Sequence, residues 1–130
     1  YVRNYSITPG DGIPALCVTS LVGDDMTPTC IVEGVENLQV EFGIDTTGDQ
    51  LVEYFAANPT SAELDDAISA RIYILMRSVN TIPNYTNDKI YRLGSTAINP
   101  DAGGNPQPFN DNFYRRVFTS TINLRNPVRL

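Results

Sequence analysis

The sequence predicts an α+β fold that is mostly β, and three observations carry that prediction. Nine Gly and nine Pro among 130 residues, with many Asn and Thr, favour frequent turns, since Pro removes a backbone donor and Gly and Asn accept turn geometries. Residues 37–44 alternate, with Leu38, Val40, Phe42 and Ile44 on one side and Asn37, Gln39 and Glu41 on the other, which is the period-2 pattern of a half-buried strand. The clearest helix signal is a capping box, Thr60 with Glu63 three residues on, after the break at Asn58-Pro59.

Residues 1–8 read as a first strand, closed by Pro9-Gly10-Asp11-Gly12, and residues 13–22 as a second. The turn Gly23-Asp24-Asp25 leads to a third strand at 29–33, and Gly34 interrupts it as a bulge or kink does. In the alternating strand that follows, the apolar side is expected to face the core and the polar side water. Asp45 to Asp49 reads as a turn, residues 50–57 as a further strand, and the helix as two turns at most, ending near Ile68. Residues 69–79 carry Ile72, Tyr73, Ile74, Leu75 and Met76 between Arg71 and Arg77, too short and β-branched for a helix, and predict a central strand.

Residues 80–112 are polar, with Pro83, Pro100, Pro106, Pro108 and Gly103-Gly104, interrupted by a short apolar run at 90–93. That is a long excursion with room for one small strand, of a length uncommon in compact domains unless it binds something. Residues 113–124 form the last strand. With 42% hydrophobic and 18% charged residues, the chain supports one core, hence a single domain over 1–130.

Fifteen acidic against nine basic residues give a net charge of −6, which repels phosphate backbones and anionic lipid surfaces. Nucleic-acid binding is not expected. A local basic cluster, Arg115 and Arg116 with Arg125 and Arg129, reads as a solvated strand face, with contact to an anionic ligand as the alternative. With no His, acid/base and nucleophilic chemistry would fall to Asp, Glu, Lys, Tyr or Ser alone. The acid pairs Asp24-Asp25 and Asp65-Asp66 sit in turn or cap contexts. Asp45 and Asp49 offer the oxygen ligands calcium prefers, but Thr47 and Gly48 break the spacing of a full calcium loop, and a strand-connecting turn is the better reading. No catalytic, cofactor-binding or metal site is expected, and no small-molecule substrate.

Cys17 and Cys30 are the two cysteines. In a hairpin centred between Gly23 and Asp24 they lie opposite one another, which permits a disulfide and implies an oxidising compartment. The alternative is two separate buried thiols. Pro28 cannot donate to a ladder and marks an edge or bulge there. The chain opens on Tyr1 without an initiator Met or an apolar run long enough to span a membrane, and reads as a processed piece with any signal or anchor upstream.

Three blocks carry a family resemblance. Residues 31–46 (IVEGVENLQVEFGIDT), 68–78 (ISARIYILMRS) and 114–126 (YRRVFTSTINLRN), in that order, resemble three blocks of PilW-type minor pilins. Residues 80–112 fall outside these blocks, and the turn after Asp45 is less acidic than the family's usual form. The resemblance implies a pilin-like antiparallel β-sheet whose N-terminal hydrophobic helix is absent from this chain. It implies a non-enzymatic subunit that helps initiate or cap a type IV pilus through contacts with other minor pilins and the major pilin. The implied location is an inner-membrane precursor with its globular part in the bacterial periplasm, and later the pilus. Two alternatives stand beside it: a minor pseudopilin of type II secretion similar to pseudopilin J, which would use the same fold although the blocks favour PilW, and a pilus-tip adhesin or DNA-uptake receptor, with residues 80–112 or Arg115, Arg116 and Arg125 contacting the ligand.

Overall fold

The computed structural model of the chain describes residues 1–3 and 12–124. Strands β1 (Val2–Arg3), β2 (Ala15–Val22) and β3 (Asp25–Glu33) form one sheet in the order β1-β2-β3. Strands β4 (Val35–Ile44), β5 (Tyr54–Ala56), β6 (Ala67–Arg77) and β9 (Arg115–Asn123) form a second, ordered β5-β4-β6-β9, and β7 (Arg92–Leu93) pairs with β8 (Thr96–Ala97). Every pairing is antiparallel. The mostly-β prediction therefore holds, with one short helix, α1 (Ser61–Asp65). No helix among the described residues is long and apolar enough to cross a membrane.

Local chemistry accounts for the element ends. Thr60 caps α1: its hydroxyl accepts from the Glu63 amide while the Glu63 carboxylate accepts from the Thr60 amide. The helix stops at Asp65 rather than near Ile68 because Ala67 already pairs with Ile44 in β6. Gln50 takes φ +68° and the Leu51 amide donates to Asp49 Oδ1, so the expected strand over 50–57 shortens to Tyr54–Ala56. Of the expected first strand, Val2 and Arg3 pair with Leu16 and Ala15; residues 4–8 and most of the turn after them lie outside the described residues. Gly34 is the joint between sheets. Its amide donates to the Pro14 carbonyl at 2.7 Å and its carbonyl accepts from the Arg77 amide at 2.7 Å. At φ +83°, with the Arg77 carbonyl 2.8 Å from where a Cβ would stand, only glycine fits without strain.

The position of the core departs from expectation. Across β4, β6 and β9, Leu38, Ile74 and Phe118 lie side by side on one face of the sheet, as do Val40, Ile72 and Ser120; Asn37, Leu75 and Val117 lie on the opposite face with Gln39, Tyr73 and Thr119. The chain's own core is built on this second face. Leu75 meets Tyr91, Leu93 and Ile98, and Tyr73, Phe109 and Val117 pack around them. Glu41, on the side expected to meet water, is 5% exposed; of the side expected to face the core, Ile44 is fully buried, as expected, whereas Leu38, Val40 and Phe42 are half-buried.

The cause is the 80–112 segment. Instead of extending into solvent, it folds over the sheet and contributes four apolar side chains, each of which adds about 1.5–3 kcal/mol on full burial. Asn87, fully buried, pins it: Nδ2 donates to the Phe113 carbonyl, and Oδ1 accepts from the Tyr91 hydroxyl. Two short strands, β7 and β8, replace the single one expected.

Candidate interaction surfaces

Beyond Cys17, β2 and β3 leave the body of the molecule as an arm in which every residue from Val18 to Glu33 is exposed. Its register runs from Cys17 opposite Cys30 to Val22 opposite Asp25, closed by Gly23-Asp24 with Gly23 at φ +65°, as a two-residue hairpin turn requires. Cys17 and Cys30 are joined by a disulfide at the base. Below it, the pairing shifts from Leu16–Val32 to Cys17–Cys30, leaving Ile31 as the extra residue of a bulge. The arm holds Leu21, Val22, Met26 and Ile31, each more than 60% exposed, so beyond cross-strand neighbours such as Leu21 and Met26 most of their surface stays open among the described residues.

The second surface is the apolar face of the four-stranded sheet. Val40, Phe42, Ile72 and Ile74 are half-buried, Phe118 and Ile122 are each 45% exposed, and none of them joins the core cluster that the 80–112 segment builds. Tyr1 and Val2 line a cleft with Leu38 beside it.

The basic cluster is redistributed. Arg115, expected on a solvent face or against a ligand, is 3% exposed. Its guanidinium forms paired hydrogen bonds to Glu36 (2.6 and 2.9 Å) and to Asp111 (2.6 and 2.8 Å), and it lies 3.6 Å from the Phe109 ring centroid. Burial opposes its charge, but the two carboxylates outweigh that and hold its pKa above the ordinary value. Arg116 is exposed, and Arg125 and Arg129 lie outside the described residues. The sequence did hold the signal: Arg115 shares strand parity with Val117, hence the core face.

Glu41 is the second buried clamp, missed because its alternation partners are polar. Its carboxylate accepts from the Ser95 amide (2.7 Å), the Ser95 hydroxyl (2.8 Å) and the Tyr73 hydroxyl (3.1 Å), fixing the β7–β8 turn to the sheet. Burial pushes the Glu41 pKa up, but the Ser95 and Tyr73 hydrogen bonds and the charge of Arg71 prevail and hold it below its ordinary 4.5. Burial likewise opposes the Asp111 anion, and Arg115 prevails, holding it below 3.8. Depressed carboxyls contribute stability that is present above the unfolded-state pKa and is lost as pH falls through the folded-state pKa. The urea midpoint should therefore be level above about pH 5 and drop below about pH 4. Glu41→Gln should flatten that drop; an equally steep drop in the variant would remove Glu41 from the account.

The loop after β4 brings Asp45, Asp49 and Glu53 together, with one carboxylate oxygen of each within 4.8 Å of the others. Glu53 was not visible as a member because it lies across the turn. These acids hold the loop's own donors. Asp45 accepts from the Gly48 and Gln50 amides, Asp49 from the Leu51 amide, and Glu53 from the Thr46 amide and the Thr47 hydroxyl. That is the geometry of a turn stabilised by side chain to backbone bonds. Asp24 and Asp25 stand exposed at the arm tip.

A family model described as Type IV Pilus-assembly protein W matches residues 3–126. The chain belongs to the PilW family. Its role accordingly lies in type IV pilus assembly, a family setting of envelope and pilus components rather than of enzymes. The match takes in the arm, both sheets and the 80–112 segment that the three sequence blocks did not reach. No curated protein and no solved structure matches the chain.

Proposed function

We propose that this PilW-family chain is the globular part of a minor pilin that helps initiate or cap type IV pilus assembly, with a hydrophobic N-terminal helix of the same polypeptide covering the apolar sheet face. The partly exposed apolar face of β4, β6 and β9 carries the reading. A sheet buries its apolar side against a second layer, and the layer formed by residues 80–112 occupies the opposite side. Contiguous exposed apolar surface of this kind marks an interaction site. Tyr1, beside Leu38, is where a preceding helix would enter. Such a subunit works by recognition: the helix anchors it in the inner membrane and then in the fibre, and its globular surfaces meet other minor pilins and the major pilin.

Deletion of the gene should remove surface pili, and the full-length protein should restore them. Phe118→Asp in that protein should lower pilus number by about tenfold or more, because a carboxylate is placed in an apolar interface. In the globular chain alone the same change should lower the melting temperature by only a few degrees, about 4–8 °C at most, since the side chain is already 45% exposed. A deletion strain that keeps its pili and loses a secreted protein would replace this reading with the type II secretion one.

A further inference from the structure

Strands at the ends of the two larger sheets are guarded unequally. β3 carries Pro28, which has no amide to offer an added strand, and β5 spans only Tyr54–Ala56. β9 runs from Arg115 to Asn123 without a Pro, a Gly or an acid, and residues 117–124 carry no charge. Its hydrogen-bonding direction is fixed at both ends. The Ser78 amide donates to the Tyr114 carbonyl and the Leu124 amide to the Ile68 carbonyl, both at 2.8 Å, and the register with β6 between them has no shift. Direction alternates along a strand, so even-numbered residues bond to β6. Val117, Thr119, Thr121 and Asn123 therefore aim their amides and carbonyls outward, where no described strand meets them. At Arg115 the edge closes, because its carbonyl already accepts from the Tyr91 hydroxyl. The open stretch is 117–123, and residues 119–123 are exposed. Tyr1 lies across the sheet from it, bonded to Cys17 and beside Leu38 of β4, with β6 between β4 and β9.

We infer that this edge of β9 pairs antiparallel with the same edge of a second copy of the chain, about a two-fold axis at Ser120. The open stretch is centred on that residue, and a two-fold contact must be self-complementary. In this register Thr119 exchanges both backbone bonds with Thr121 of the second copy, and Thr121 with its Thr119. Phe118 lies opposite the second copy's Ile122, and Ile122 opposite its Phe118. Both are exposed on the apolar face, and pairs of aromatic and β-branched side chains strengthen strand pairing. Moving the axis one residue either way sets Ile122 opposite Ser120 or Arg116 instead. Charge does not oppose the contact, since the acids that bring the chain to −6 all lie outside β9. The two four-stranded sheets become one continuous sheet, and its apolar face runs across the joint. The pairing needs only β9 as described and stands apart from the subunit reading above.

A single strand edge buries little area, so the dimer should be weak, with a dissociation constant of about 100 µM. Sedimentation of the 130-residue chain should then show monomer at about 5 µM and mostly dimer at about 1 mM. Across that range amide exchange at Thr119 and Thr121 should slow by about fivefold. Cysteine placement reads the register. Ser120→Cys faces itself across the axis in a non-hydrogen-bonded pair, the arrangement that Cys17 and Cys30 already bridge, and should crosslink the two copies in air. Thr119→Cys and Thr121→Cys each face a Thr and should crosslink at least about tenfold more slowly. Thr121→Pro removes an outward amide and should weaken association by about tenfold or more. Slow exchange at Phe118, whose amide faces β6, shows the strand intact in each variant. A chain that stays monomeric throughout, a dimer with unchanged exchange at Thr119 and Thr121, equal crosslinking at the three positions, or undiminished association of Thr121→Pro would each overturn the inference. Slow exchange of those two amides already in the monomer would overturn it as well, by showing that the chain's own residues occupy the edge.

Discussion

Arg115→Ala should destabilise the chain by about 3–5 kcal/mol, the range expected when one partner of a buried ion pair is removed. The side chain of Arg115 is 1% exposed, and those of Glu36 and Asp111 are 12% and 33% exposed, so the truncation leaves two partly buried carboxylates facing each other without their cation. Three segments lose a common anchor: the start of β4 through Glu36, the end of the 80–112 segment through Asp111, and β9 itself. The contact with Phe109 is lost as well, and Phe109 packs on the core. Urea denaturation measures the loss. Arg115→Lys should recover only part of the stability, because an ammonium cannot form two paired sets of bonds. In a double-mutant cycle Arg115 and Glu36 should couple by well over about 1 kcal/mol. A loss in Arg115→Ala below about 1 kcal/mol would mean that the pair behaves as a solvent-screened surface bridge.

Arg115 also shows where reading from sequence stopped. The strands were legible because alternation, turn residues and the capping box are local signals, and Thr60 and Glu63 act as their spacing announces. The hairpin was legible for the same reason: the separation of Cys17 and Cys30 about Gly23-Asp24 is a matter of counting. Which face of β4 the chain itself would cover was not local. Period-2 alternation distinguishes two faces of a strand, but it does not say what lies on each. Leu38, Val40 and Phe42 form the more apolar side, yet the 80–112 segment covers Glu41 instead, satisfying it with Ser95 and Tyr73. That segment looked like solvent-exposed loop because its apolar residues, Tyr91, Leu93, Ile98 and Phe109, are spaced too irregularly to resemble a strand or helix face. Polar composition concealed a layer whose hydrogen bonds run through Asn87, Asp111 and Glu41. The arm was legible as strands and not as a projection, since exposure of both faces depends on where Gly34 turns the chain into the second sheet.

Opening the Cys17–Cys30 disulfide, by reduction or by replacing both cysteines with Ser, should cost the arm about 3 kcal/mol, the scale for closing a loop of this length. The separation is 13 residues. An isolated two-stranded hairpin is marginal in water, and the arm above the bridge has neither face buried, so little else holds it. At about tenfold per 1.4 kcal/mol, the loss lowers the formed fraction of the arm relative to the open one by roughly a hundredfold. The four-stranded sheet and its 80–112 layer bury their own core and hold through Arg115 and Glu41, so the damage should stay local. Amide exchange separates these outcomes: protection should vanish at Val18 and Ser20 while Leu75 and Phe118, whose amides face neighbouring strands of the four-stranded sheet, keep theirs. Loss of protection throughout the sheet would show instead that the bridge supports the whole fold. Retained protection in the arm would show that its cross-strand pairs suffice without the bridge.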